Sequence, residues 1–191
     1  MEAARLNARA IGLVLQELGI NVNCLPLLDL RHEGGHDIIG DRALGAEPDQ
    51  VAALGRMVLD GLASAQTIGV VKHIPGHGRA LADSHLSLPI VTASRAELEL
   101  DIAPFKQLAK AAMAMTAHII YPAWDQARCA TLSPVVIEQV IRGAIGFEGW
   151  LMSDDLGMKA LSGSLGDLAR EVVVAGCDVA LHCSGEIEEM V

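Results

Sequence analysis

The sequence lacks an excess of positive charge and any long apolar run, and each absence excludes a class of function. Its formal net charge is −10, with no cluster of lysine or arginine. Binding to nucleic acid needs a basic surface for the phosphate backbone, so no nucleic-acid partner is expected. No apolar run approaches the roughly 20 residues of a membrane-spanning helix, and the first residues do not form a signal peptide. We expect a soluble protein with no membrane partner.

Paired cysteines and zinc motifs are also missing. The sequence has four widely separated cysteines: Cys24, Cys129, Cys177 and Cys183. None forms the CxxC pair of zinc or redox sites, so we expect reduced thiols and a cytoplasmic protein. His73 and His77 stand four residues apart, but Pro75 excludes the helix on which that spacing would bind zinc. We expect neither a metal ion nor another cofactor.

What the sequence does have is an alternation of helical and extended patterns along 191 residues, 51% of them hydrophobic. Apolar spacing predicts helices over residues 4–18, 49–65, 94–112 and 164–175, and a further helix beginning at residues 133–134. Ser94 and Glu97, three residues apart, predict a capping box at the start of the helix over residues 94–112. Short apolar runs predict five strands, over residues 20–30, 67–73, 113–119, 146–153 and 178–182. Apolar strands that alternate with helices are typical of parallel sheets, so the predicted fold class is α/β.

Polar residues follow each predicted strand: Asp29, His73, His118, Asp154 and His182. Functional groups at the ends of several strands are typical of the (β/α)8 barrel, although open doubly wound sheets share the alternation. A barrel unit takes ~31 residues, so 191 residues hold about six units. We predict a partial (β/α)8 TIM barrel that lacks its first strands and its last, as one domain over residues 1–191.

Asp83 and His85 form an acid–imidazole pair two residues apart in a predicted loop. A carboxylate that accepts the ring N–H fixes the histidine tautomer and raises the basicity of the other nitrogen. His85 could then act as acid in one step and base in the next. The alternative is a pair that only caps a turn.

Asp154 and Asp155 follow the strand predicted over residues 146–153. Neighbouring residues on a strand point to opposite faces, so only one carboxylate can face the strand-end site, unless both are helix N-caps. Lys72 and His73 end another strand, where the lysine either contacts a substrate or lies at the surface. Arg42 lies in a loop, either as a substrate clamp or in an ion pair with Asp41.

The motifs together resemble glycoside hydrolase family 3, and within it the bacterial β-N-acetylhexosaminidases. The matching segments are LPLLD (25–29), GDR (40–42), KHIPGHG (72–78), DSH (83–85), AHIIYPA (117–123), GFEG (146–149), SDDLGM (153–158) and AGCD (175–178). The KHxPGHG segment followed by DSH is specific to this branch, because the glucosidases of the family use a distant glutamate as acid–base. The resemblance covers nearly the whole chain.

The resemblance implies a two-step retaining hydrolysis of terminal β-linked N-acetylglucosamine, with muropeptides from peptidoglycan as the substrate class. Asp154 would be the nucleophile that forms a covalent glycosyl-enzyme. His85, oriented by Asp83, would be the acid and then the base. Arg42, Lys72 and His73 would hold the sugar hydroxyls.

Two alternatives stay open beside hydrolysis. A phosphorylase would use phosphate in place of water against the same glycosyl-enzyme. The other alternative is an inactive or non-catalytic sugar-binding chain, because the family's Asp-x-Glu-Gly-Gly segment has no counterpart at the expected position. The letters Glu33-Gly34-Gly35 follow the 25–29 segment instead of preceding it, so we interpret them as coincidence and expect weak or absent activity.

Overall fold

A computed structural model describes residues 1–190 and contains one four-stranded parallel sheet. The strands are β1 (Val22–Asn23), β2 (Ile68–Ile74), β3 (Met113–Thr116) and β4 (Trp150–Met152), and they lie side by side in chain order. A further parallel bridge joins Met152 to Val179 beyond β4. Helices separate consecutive strands, as a parallel sheet requires. The predicted α/β class with parallel strands is confirmed.

The described residues 1–190 form five α-helices: α1 (Glu2–Glu17), α2 (Pro48–Ser64), α3 (Arg95–Gln107), α4 (Leu165–Ala175) and α5 (Ile187–Met190). Local chemistry sets several of their ends. Ser94 and Glu97 form the capping box that the sequence predicts, with each side chain bonded to the other's backbone N–H. Gly176 ends α4 in a left-handed conformation (φ 115°), which costs glycine little.

The strand predicted over residues 20–30 is much shorter than expected. Only Val22–Asn23 pairs as a strand, and the chain then follows β2 through a single bridge from Leu27 to Lys72. Pro26 lies between the two pairings and has no N–H to donate, although its carbonyl accepts from the Lys72 N–H at 3.1 Å. The prediction of one continuous strand was therefore wrong.

Other predictions also need correction. The strands predicted over residues 113–119 and 146–153 are shorter, at Met113–Thr116 and Trp150–Met152. The fifth strand, residues 178–182, makes only the bridge at Val179. The helix predicted to reach residue 112 ends at Gln107, and a turn leads into β3. The helix that begins near residue 134 continues as a π-helix over Val136–Ala144, whose wider turn the apolar spacing does not reveal.

The main hydrophobic core lies between the sheet and its helices. Its largest fully buried members include Phe105 of α3, Ile141 of the π-helix and Leu151 of β4. Within residues 1–190 no helix is both long and apolar enough to cross a membrane. Because the strands are parallel, their carboxyl ends meet at one edge of the sheet, where residues 29, 73, 118 and 154 come together.

Candidate active site

Asp29 follows β1 at this edge and is fully buried. Its carboxylate accepts hydrogen bonds from the His73 N–H (3.1 Å), the His73 ring Nδ1 (2.7 Å) and the His77 N–H (2.7 Å). An ionised carboxylate can only accept, so the His73 Nδ1 carries the proton and Nε2 is left to face the site. Burial alone raises the pKa of Asp29, but the charge and hydrogen bonds of His73 and His77 lower it further than burial raises it.

The KHIPGHG segment is held by the Asp29 carboxylate and by two other sets of contacts. The Tyr121 hydroxyl donates to the carbonyl of Gly76 at 2.8 Å. Gly76 has φ 132°, and a Cβ there would meet the Asp101 Cβ at 3.1 Å, so only glycine fits without strain. Asp101 itself bonds His32 and Arg79, each at 2.6 Å, and so joins the loops after β1 and β2 to α3. The segment is therefore fixed by buried contacts on several sides.

Asp154 follows β4 and faces this framework. Its Oδ1 accepts from the N–H of Asp155 at 2.9 Å, and its Oδ2 lies 4.0 Å from the His73 Nε2. The side chain is 17% exposed, so one carboxylate oxygen is held by the backbone while the other remains accessible. This is the arrangement that a nucleophilic carboxylate needs.

The second carboxylate, Asp155, has a different environment from Asp154. Its Oδ1 accepts from the N–H groups of Gly157 and Cys183, both at 3.0 Å, and lies 3.4 Å from the His182 Nδ1. Asp155 thereby ties the loop after β4 to the segment after Val179. The interpretation of the pair as helix N-caps was wrong, because the next helix begins only at Leu165 and is capped by Ser164.

His118 contacts the loop after β4 from the protein interior. It is fully buried, and its Nε2 lies 3.1 Å from the Asp155 carbonyl while its Nδ1 lies 2.7 Å from the Thr131 hydroxyl. Burial is the largest effect on the pKa of His118 and lowers it. The neutral ring therefore donates from Nε2 to the Asp155 carbonyl and accepts from Thr131. This fixes the peptide unit between Asp155 and Leu156, one residue beyond Asp154.

Asp83 and His85 form the predicted pair in an exposed loop. The Asp83 Oδ1 accepts both the N–H and the ring Nδ1 of His85, each at 2.8 Å, so the His85 Nε2 points away from the carboxylate. The backbone bond from His85 is the largest effect on the pKa of Asp83 and lowers it. The His85 side chain is 56% exposed, which leaves it free to exchange protons. The His85 carbonyl also accepts from the Lys159 N–H at 3.3 Å, which links this loop to the one that carries Asp154.

Arg42 and Lys72 are less firmly placed than the other candidates. The Arg42 guanidinium donates to the Ile38 carbonyl at 2.8 Å, and Asp41 lies 3.5 Å from Arg31, so the alternative of an Asp41–Arg42 ion pair was wrong. The other alternative, a substrate clamp, stays a prediction. Within the described part of the chain, neither Arg42 nor Lys72 bonds to another candidate residue. Nor do residues 1–190 contain a group of three or more histidine, cysteine, aspartate or glutamate side chains placed to hold a metal ion.

Asp29 and His77 make contacts that the sequence did not reveal. Their contacts join residues 44 and 48 positions apart along the chain, which no local spacing shows. The available signal is a carboxylate at the end of an apolar run, because a buried charge there must find partners.

Sequence comparison places the chain in a known family. The profile of the glycosyl hydrolase family 3 N-terminal domain matches residues 1–191. A protein named beta-hexosaminidase from Thiobacillus denitrificans is 38% identical over 192 residues, covering 96% of this chain and 53% of that protein. A beta-hexosaminidase from Alkalilimnicola ehrlichii is 43% identical over 171 residues, covering 87% of this chain and 49% of that protein. The chain thus spans about half the length of these relatives.

Solved structures agree with the fold. A family 3 β-N-acetylglucosaminidase from Paenibacillus superposes with a TM-score of 0.89 at 39% identity, covering 94% of this chain and 35% of that one. NagZ from Neisseria gonorrhoeae in complex with N-trifluoroacetyl-D-glucosamine superposes with a TM-score of 0.89 at 37% identity, covering 98% of this chain and 55% of that one. The parallel sheet and its helices are therefore part of a TIM-barrel-like fold, as predicted.

Proposed function

The chain belongs to the glycosyl hydrolase family 3 N-terminal domain family, and on that premise we propose that it carries the catalytic groups of a retaining β-N-acetylhexosaminidase. The observation that supports this most strongly is the position of Asp154. One of its oxygens is held by the backbone, and the other faces His73 across 4.0 Å at the carboxyl end of the sheet. The relatives named beta-hexosaminidase support the same reaction class.

In the first step Asp154 attacks the anomeric carbon of a terminal N-acetylglucosamine. The Oδ2–carbon bond forms while the glycosidic carbon–oxygen bond breaks, and the sugar is held as a covalent ester. The fixed Oδ1 leaves Oδ2 as the attacking atom. The sugar class comes from the structural relative that binds N-trifluoroacetyl-D-glucosamine.

His85 moves the proton in both steps. Its Nε2 gives a proton to the departing oxygen, and the neutral ring then takes one from the water that displaces Asp154. Asp83 holds the Nδ1–H throughout, so the ring presents Nε2 in both protonation states. The His73 Nε2, fixed by Asp29, faces a sugar hydroxyl together with Lys72 and Arg42.

We propose a saccharide substrate derived from peptidoglycan, in a cytoplasmic cell-wall recycling reaction, with residues 1–191 as an incomplete catalytic domain. The proposal follows the family resemblance and the four free cysteines, which suit a reducing compartment. It needs no metal ion and no organic cofactor.

The test is hydrolysis of 4-nitrophenyl N-acetyl-β-glucosaminide by the chain, with Asp154→Asn as the inactive variant. Because the domain is incomplete, we expect only slow release of nitrophenol, which the variant loses and which added phosphate leaves unchanged. A rate that depends on phosphate, with a sugar phosphate as product, would identify a phosphorylase. Sugar binding without turnover would identify a non-catalytic chain and overturn the proposal.

A further inference from the structure

The loop that carries His85 has one buried residue. Of residues 81–88, all within the described chain, only Ser84 is buried, at 3% exposure, while the neighbouring Leu81 and Leu86 are 74% and 66% exposed. Ser84 stands between Asp83 and His85, the two members of the acid–imidazole pair. A contact that holds Ser84 therefore also positions the Asp83–His85 pair.

The contact that holds Ser84 is His77. The His77 Nε2 lies 3.0 Å from the Ser84 hydroxyl, and both side chains are buried. His77 is itself anchored, because its N–H donates to Asp29 at 2.7 Å and its ring packs edge-on against His73 with centroids 5.4 Å apart. The exposed pair is thus connected to the buried framework through a single side-chain hydrogen bond.

The direction of that bond follows from burial. Burial lowers the pKa of His77 to about 4, so its ring is neutral near pH 7 and carries one N–H. The Nδ1 is buried and has no partner. Unpaired buried N–H donors are rarer than unpaired acceptors, so the proton belongs on Nε2 and is donated to Ser84.

We propose that the His77–Ser84 hydrogen bond is a latch that positions the Asp83–His85 pair, and that His77 and Ser84 are positioning residues for the acid–base step. The significance for catalysis rests on the proposed function. The need for a further contact is independent of that function, because an exposed pair such as Asp83–His85 gains little stability by itself. The latch adds a buried, directional contact at the residue between them. The second attachment, from the Lys159 N–H to the His85 carbonyl, constrains only the backbone.

The latch predicts a spectroscopic signature at His85 that needs no turnover. In the latched loop the neutral His85 ring is held with its proton on Nδ1, whereas an unrestrained imidazole in water favours Nε2–H. We expect ¹⁵N ring shifts of the wild-type chain at neutral pH to show the Nδ1–H form. Ser84→Ala should move them towards the Nε2–H form, and amide exchange over residues 84–88 should become about five- to tenfold faster.

Two further variants make this test decisive. Ser87→Ala is the matched control, because Ser87 is exposed in the same loop. It should leave the His85 shifts and the exchange unchanged. His77→Phe removes the same bond from the other side and should reproduce Ser84→Ala, with no additional effect in the double variant.

The proposal is overturned if Ser84→Ala leaves the His85 tautomer unchanged, or if Ser84→Ala and Ser87→Ala act alike. A chain that fails to hydrolyse any glucosaminide but shows the predicted tautomer change would contradict the proposed function and leave the latch standing. If the chain hydrolyses a glucosaminide but Ser84→Ala leaves the His85 tautomer unchanged, the proposed function stands and the latch is contradicted.

Discussion

The site contains the same histidine–aspartate arrangement twice, once buried and once exposed. In each, a carboxylate accepts both the backbone N–H and the ring Nδ1 of one histidine: Asp29 with His73, and Asp83 with His85. Asp29 is fully buried and the His73 side chain is 8% exposed, whereas the His85 side chain is 56% exposed. The same two hydrogen bonds from one histidine therefore form in a buried and in an exposed environment.

The difference shows how burial assigns the roles. The buried pair is enclosed by the protein and its carboxylate also holds the His77 N–H, so it suits a fixed framework beside Asp154. The exposed pair presents a fixed tautomer to solvent, which suits a group that must give and take a proton. The comparison implies that the first pair matters mostly for stability and the second mostly for turnover.

The largest expected difference is in the free energy of unfolding. Asp29→Ala leaves three buried donors without an acceptor, and breaking a buried pair in this way costs about 3 to 5 kcal/mol. Asp83→Ala is the matched change in the exposed pair and should leave the urea midpoint unchanged. Urea denaturation at pH 7 checks both. Equal losses from the two substitutions would contradict the assignment of roles.

Acid should lower the free energy of unfolding through His77, which belongs to the buried framework. His77 has a pKa of about 4 in the fold against 6.5 when unperturbed, so between these values the unfolded chain binds a proton that the folded chain does not. Its contribution to stability is present in full above pH 6.5 and is lost as the pH falls from 6.5 through 4. The loss amounts to about 3 kcal/mol.

This contribution is measured by urea denaturation between pH 7 and pH 4, comparing the wild-type chain with His77→Gln. His118 is present in both proteins, so the difference between the two curves reports His77 together with its effect on the neighbouring Asp29. A wild-type chain that loses no more stability than the variant would contradict the buried, neutral state of His77.

Changes in the exposed Asp83–His85 pair should affect turnover. His85→Ala removes the acid and the base, and we expect kcat to fall by about 10²-fold with the nitrophenyl substrate. A dinitrophenyl glycoside needs less protonation of its leaving group, so its first step should be slowed less. His36→Ala, a histidine outside the proposed chemistry, is the control. An unchanged rate in His85→Ala would make His85 structural.

Local chemistry in this sequence was readable, and contacts between distant segments were not. The Ser94–Glu97 capping box and the Asp83–His85 pair were predicted because their partners lie two or three residues apart. The helix at Pro48–Ser64 was located to within one residue of the predicted 49–65 because its apolar face is long and regular. The α/β class followed from the same kind of periodicity.

Failures came where a distant partner decided the outcome. The short β1 depends on how residues 24–28 lie against β2, and the fifth strand makes one bridge instead of a ladder. Asp29 acquires its partners 44 and 48 residues away, and Asp41 bonds Arg31 instead of its neighbour Arg42. Hydrophobic spacing also cannot distinguish a π-helix from an α-helix over nine residues.

The most direct test of the central claim is to trap the covalent intermediate. The chain is incubated with a fluorinated N-acetylglucosaminide that forms the glycosyl-enzyme but slows its hydrolysis, and the labelled peptide is sequenced by mass spectrometry. The account predicts one sugar on Asp154, whose Oδ2 is the accessible oxygen, and none in Asp154→Asn. A label on Asp155, or no label on any residue, would contradict it.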